Sequence, residues 1–181
     1  MAVLERIKTY LYENGAAGVK LVNTADIIVD DRVRLKCQIP RCDSYGQNLM
    51  CPPYVASVAE FRTYLSLFSR ALLLQISASI EKTTDDVYAP ANKLHDLVNR
   101  GEKAAFEAGF RFATGLIGGC CRLCDVCVIA TGSTKCRFPF KARPSMEAMG
   151  IDVIATTEKA GCVVTFPIND VVTWTGLILI D

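Results

Sequence analysis

Apolar residues at Val3, Leu4, Ile7 and Leu11 recur at helical spacing and Asn14-Gly15 follows them. Residues 3–13 are therefore predicted to form a helix that stops at that pair. A short apolar stretch at 18–22 reads as a strand, whereas 26–36 fits helix or strand equally. Ser57 with Glu60 three residues on has the form of a capping box. It starts a predicted helix to about residue 69, with Val58, Phe61, Leu65 and Phe68 on one stripe. The continuous apolar run 71–80 predicts a buried strand. A long helix is expected from Thr84 or Asp85 to Gly109, with Leu94, Leu97, Val98, Ala105 and Phe106 facing inward. Pro90 belongs in the first turns of a helix, which moves that start later. Residues 110–117 predict a second core strand, 145–150 a short helix stopped at Gly150, 151–159 another helix, and 172–181 a last strand. The pattern implies an α/β (α+β) sandwich, one domain over residues 1–181. A small mixed sheet with flanking helices would carry two cysteine-rich loops at the element ends.

Composition narrows the class. The chain has 181 residues, 51% hydrophobic and 22% charged, with a formal net charge of +1. Those are ordinary values for a soluble globular protein, and the charge suggests neither a nucleic-acid surface nor an acidic tail. The first residues mix apolar and charged side chains and lack the apolar stretch of a signal peptide. The longest apolar runs, 71–76 and 177–180, fall far short of the ~20 residues that span a bilayer. A cytoplasmic protein with no nucleic-acid or membrane partner is expected. Its oligomeric state, a homodimer included, stays open.

Nine cysteines change the picture. In a reducing compartment thiols serve as ligands or catalytic groups rather than disulfides, and an odd count is rare in a disulfide framework. Cys121, Cys124, Cys127 and Cys136 make a C-x2-C-x2-C-x8-C pattern that can close four thiolates around one small centre. Zinc ribbons pair two C-x2-C knuckles across a longer loop, whereas three crowded ligands plus one further cysteine is the arrangement of an iron–sulfur site. Gly118-Gly119 ahead of the ligands suits a close backbone approach. Arg122, Arg137 and Arg143, with Lys135 and Lys141, would offset the anionic charge of such a cluster and donate hydrogen bonds to sulfur. Cys120 breaks the x2 register, and adjacent residues rarely aim at one centre, so it reads as a bystander.

The earlier loop places Cys37, Cys42 and Cys51 in a C-x4-C-x8-C pattern that ends in Pro52-Pro53. Its fourth ligand is not evident. Cys120, Cys162 or a partner chain would close a second cluster there; alternatively an iron stays open for a substrate. His95, the sole histidine, reads as structural, and Cys162 and Trp174 read as packing.

The segments KCQIPRCDSYGQNLMCPP at 36–53 and GGCCRLCDVCVIATGSTKCRFPFKARPSMEAMGIDV at 118–153 resemble the predicted metal-binding proteins grouped as domain-of-unknown-function family 2284. The likeness extends over nearly the whole chain to the closing GLILID. The resemblance implies a cytoplasmic iron–sulfur or other metal protein of anaerobic bacteria and archaea. Its expected ligands are Cys37, Cys42, Cys51, Cys121, Cys124, Cys127 and Cys136. The family usually carries Pro at the position of Cys120, in keeping with a non-ligand. The expected function is electron transfer, or assistance to a redox enzyme, through one or two [4Fe-4S] clusters and a redox partner protein. The alternatives are an enzyme with an open iron at the first loop and a zinc-stabilised binding module without chemistry.

Overall fold

A computed structural model describes residues 2–80, 88–162, 164, 168 and 170–181. Helix α1 spans Ala2–Glu13 and buries Leu4, Ile7 and Leu11. Strand β1 (Gly18–Asn23) follows, then a 3-10 turn at Thr24–Asp26 and a short helix α2 (Asp31–Leu35) whose start is capped by the Asp30 carboxylate. Residues 26–36, ambiguous in sequence, thus hold the end of the 3-10 turn, a non-helical stretch bridged from Val29 to Ile151, and helix α2. Helix α3 (Val58–Leu65) carries both halves of the Ser57/Glu60 capping box. Strand β2 is Arg70–Ser79 and helix α4 is Ala89–Glu107, with Pro90 in its first turn. The earlier start considered at Thr84 or Asp85 lies outside the described residues. Strand β3 (Thr114–Leu116), helix α5 (Val153–Lys159) and strand β4 (Val171–Ile180) complete the chain.

The four strands form one sheet in the order β1-β2-β4-β3. The sheet was expected to be mixed, but every strand pairing in it is antiparallel. Alternation along β2 and β4 sorts side chains to two faces. Leu72, Leu74, Ile76, Ile178 and Ile180 meet α1 and α4 on one face. Ala71, Leu73, Leu177 and Leu179 meet Phe61 and Leu65 of α3 with Met146, Met149 and Ile151 on the other. Covering both faces explains why β2 reads as an unbroken apolar run.

Three expectations are corrected. Phe106 is 61% exposed rather than inward. The inner stripe of α4 instead runs through Leu94, Val98, Gly101 and Ala105, and a Cβ at Gly101 would lie 2.5 Å from Ile178 Cδ1. The helix is pressed so close to β4 that only small residues fit there. β3 keeps only three residues, because Phe110–Ala113 turns on itself through the Ala113 N–H bond to the Phe110 carbonyl. The segment 145–150 holds a single 3-10 turn, Glu147–Met149, ended by Gly150 at φ +83°.

Candidate metal centre

The second cysteine loop leaves the sheet at the end of β3 and returns beside it. Ile117 donates its N–H to the Pro144 carbonyl (3.0 Å) and accepts from the Met146 N–H (2.8 Å), so the loop is closed at its base. Gly118 and Gly119 press against β4: a Cβ on Gly118 would lie 2.8 Å from the Thr175 carbonyl oxygen, and one on Gly119, at φ +74°, 3.0 Å from the Trp174 ring. The neighbour these glycines admit is the strand. Gly118→Ala is expected to cost about 1–3 kcal/mol, since a backbone carbonyl cannot swing aside as a side chain does; a urea midpoint unchanged from wild type would contradict it.

Within the loop, the Cys121 thiol sits in the fields of Cys136, Cys124 and Cys127. Burial pushes this thiol up, while an N–H bond from Leu123 opposes the shift. Cys136 Sγ accepts from the Phe138 N–H at 3.3 Å, and Cys127 Sγ from the Leu49 N–H at 3.5 Å. Such N–H donors favour a thiolate, and a cluster held by one. The three arginines are differently employed. Arg122 lies over the Tyr88 ring at 3.6 Å and donates to the Cys120 carbonyl at 3.4 Å. Arg137 donates to the Val126 carbonyl at 2.9 Å. Arg143 forks onto Glu102, whose Oε2 it meets at 2.7 Å.

The first loop is folded by its own backbone: the Cys42 N–H reaches the Cys37 carbonyl and the Gly46 N–H the Pro52 carbonyl. Asn48, which reads in the sequence only as a turn residue, is a buried amide that joins the two loops. Its Nδ2 donates to the Cys121 carbonyl (2.8 Å) while its Oδ1 accepts from the Met50 N–H (2.9 Å). Cys51 is buried, and its thiol is pushed up to about 12, first by burial and then by Cys120, Cys42, Cys37 and Cys121. It is protonated at neutral pH in the metal-free protein, so loading a metal there releases a proton.

A cavity of about 1010 Å³ opens beside this loop, and Cys37, Cys42, Cys51 and Cys120 all line it, with Glu147 and Trp174. Burial raises the Glu147 carboxyl against hydrogen bonds from its own N–H, Ser145 and Gly119. Among the described residues, Glu147 Oε2 and Trp174 Nε1 are buried without a hydrogen-bond partner. Neither residue carried a spacing signal in the sequence.

His95 and Cys162 stand apart from the thiols just described. His95 is buried and its Nε2 lies 2.8 Å from the Lys141 carbonyl, fastening the far end of the second loop to α4. Burial, helped by Arg143, holds the imidazole below its ordinary value of 6.5. A depressed histidine stabilises the fold fully above 6.5 and progressively less as pH falls through its folded value. The thermal midpoint is expected to decline below about pH 6.5, and His95→Gln, which keeps a donor, should flatten that decline. Cys162 packs against the α3-side cluster.

Among the described residues, no three His, Cys, Asp or Glu side chains converge tightly enough to hold a single metal ion. The donor chemistry still fits a thiophilic centre: soft thiols in two neighbouring loops, with backbone N–H groups donating to Cys127 and Cys136. No helix among the described residues is long and apolar enough to cross a membrane. Residues 20–180 match the family described as "Predicted metal-binding protein (DUF2284)". No curated protein and no solved structure matches the chain.

Proposed function

We propose, from the premise that the chain belongs to this predicted metal-binding family, that it is an iron–sulfur protein that relays electrons for a partner redox protein. Cys121, Cys124, Cys127 and Cys136 would hold a [4Fe-4S] cluster. The observation that carries the reading is a loop of four cysteines closed at its base on the sheet, with backbone N–H groups donating to the Cys127 and Cys136 sulfurs. A tetrahedral zinc needs its sulfurs about 3.8 Å apart, from Zn–S bonds of about 2.3 Å. A four-iron core gives each thiolate its own iron and does not require that convergence.

A cluster held there supplies one-electron chemistry. The chain's own residues do the rest. The Leu49, Leu123 and Phe138 N–H groups stabilise the thiolates, Asn48 holds the loops in register, and Arg122 brings positive charge to the junction between them. Cys124 shares a shallow concavity with Val126, Arg137 and Phe138. Val126 and Phe138 are exposed and Phe140 is 89% exposed. An apolar patch with Lys135, Arg137 and Lys141 close in sequence suits a partner with an acidic rim. All nine cysteines are free thiols, the state that a reducing cytoplasm maintains.

Anaerobic purification should yield a brown protein with equal iron and sulfide, at least about four of each per chain, and an EPR signal after dithionite. A colourless protein with one zinc per chain and no sulfide would overturn the reading. A second reading, catalysis at an under-liganded first loop, draws on the cavity beside Cys37, Cys42 and Cys51. It depends on that trio lacking a fourth ligand.

A further inference from the structure

We propose that Cys37, Cys42, Cys51 and Cys120 form a second four-thiolate centre, with Cys120 the fourth ligand, so that the chain carries two clusters joined at the Cys120–Cys121 peptide bond. The inference rests on the reading that these thiols take iron–sulfur clusters. It also reverses the expectation that Cys120 is a bystander.

Two observations support it. The same cavity is lined by all four of these thiols and by none of the other five cysteines. The first loop is also bonded into the second on both sides of the junction: Asn48 to the Cys121 carbonyl and the Leu49 N–H to Cys127 Sγ.

Adjacent residues still rarely aim at one centre. Outside a helix, neighbouring side chains diverge, so two adjacent cysteines can serve two centres where they cannot serve one. Two rival fourth ligands are placed elsewhere. Cys162 packs into the α3-side apolar cluster. His95 is turned to the Lys141 carbonyl. Glu147 lines the same cavity and has one carboxylate oxygen buried without a partner, but a carboxylate is a harder donor than a thiolate and suits a soft metal less well than Cys120 does. Arg122, donating to the Cys120 carbonyl, places a cation at the junction, where two anionic clusters would repel.

The test is reconstitution of the full chain with iron and sulfide under argon, with metal and sulfide counted per chain. Wild type should hold about eight of each, and Cys120→Ser and Cys120→Ala about four, with the centre on Cys121, Cys124, Cys127 and Cys136 retained. Cys136→Ser should lose the other four, and Cys120→Ser combined with Cys136→Ser all eight. On the unsubstituted protein, the fully reduced state should give an EPR spectrum broadened by two neighbouring spins, which Cys136→Ser simplifies; that measurement needs no Cys120 variant to fold. About eight iron retained in Cys120→Ala, or only about four in wild type with no spin–spin broadening, would overturn the proposal. Loss of four iron in Glu147→Gln with Cys120→Ala unaffected would move the fourth ligand to Glu147 and overturn it too. Failure of the underlying reading looks different: zinc without sulfide in the wild type. In that case a fall from two zinc to one in Cys120→Ala would still assign Cys120 as a ligand.

Discussion

Cys136→Ser is expected to remove one whole centre, about four iron and four sulfide per chain, together with its share of the dithionite-reduced EPR signal. Cys136 stands alone after the x8 gap and is partly exposed, with its sulfur bonded to the nearby Phe138 N–H. No apolar cluster depends on it, so the metal-free variant should keep the wild-type circular dichroism and urea midpoint. Loss of metal without loss of fold separates a ligand from a packing residue. Unchanged iron and sulfide in this variant would contradict the assignment of the second loop as a cluster site.

Glu102→Ala is expected to be the most destabilising single change outside the core, at about 3–5 kcal/mol. Its carboxylate accepts from the Gly115 N–H at 2.7 Å and from both arms of Arg143, and the two side chains are only 17% and 19% exposed. At that burial, solvent screens the pair little. Removing the carboxylate leaves a buried guanidinium without a counter-charge and a strand N–H without an acceptor. The damage falls on the site, because Glu102 ties α4 to β3 and to the segment that closes the second loop. Glu102→Gln keeps an acceptor and should recover part of the loss. A urea-derived change under about 1 kcal/mol would mean that the pair behaves as an exposed one.

That ion pair also shows where sequence reading ends. Arg143 belongs to a basic run and was expected to neutralise a cluster; the fold commits its guanidinium to Glu102, 41 residues away in the chain. Arg122 and Arg137 stand in the same run, and only Arg122 reaches the junction between the loops. Charge runs are visible in a sequence, but their partners come from other elements. Local signals fared differently. Ser57 and Glu60 cap α3 as their spacing implied, because both halves of a capping box lie within one turn. The inward stripe of α4 was legible at Leu94, Leu97, Val98 and Ala105 and failed at Phe106, which is exposed; the position pressed against β4 is Gly101, whose lack of a side chain gives no hydrophobic signal.

The sequence alone determined what depends on near neighbours: the starts of α1 and α3, the two long buried strands, the α+β class, and the spacing of the cysteines within each loop. Short-range spacing is geometry along one piece of backbone, so the residues themselves carry it. Only the tertiary structure decided which loop lies against which. The order β1-β2-β4-β3 brings the end of β3 beside Trp174 and Thr175, and Asn48 then locks the first loop onto Cys121. Cys120 is the residue on which the two kinds of information diverge. Its register along the chain sets it apart from the second set of thiols; its place in space puts it in the cavity wall with Cys37, Cys42 and Cys51, because a group of thiols drawn from two distant loops exists only once the chain has folded.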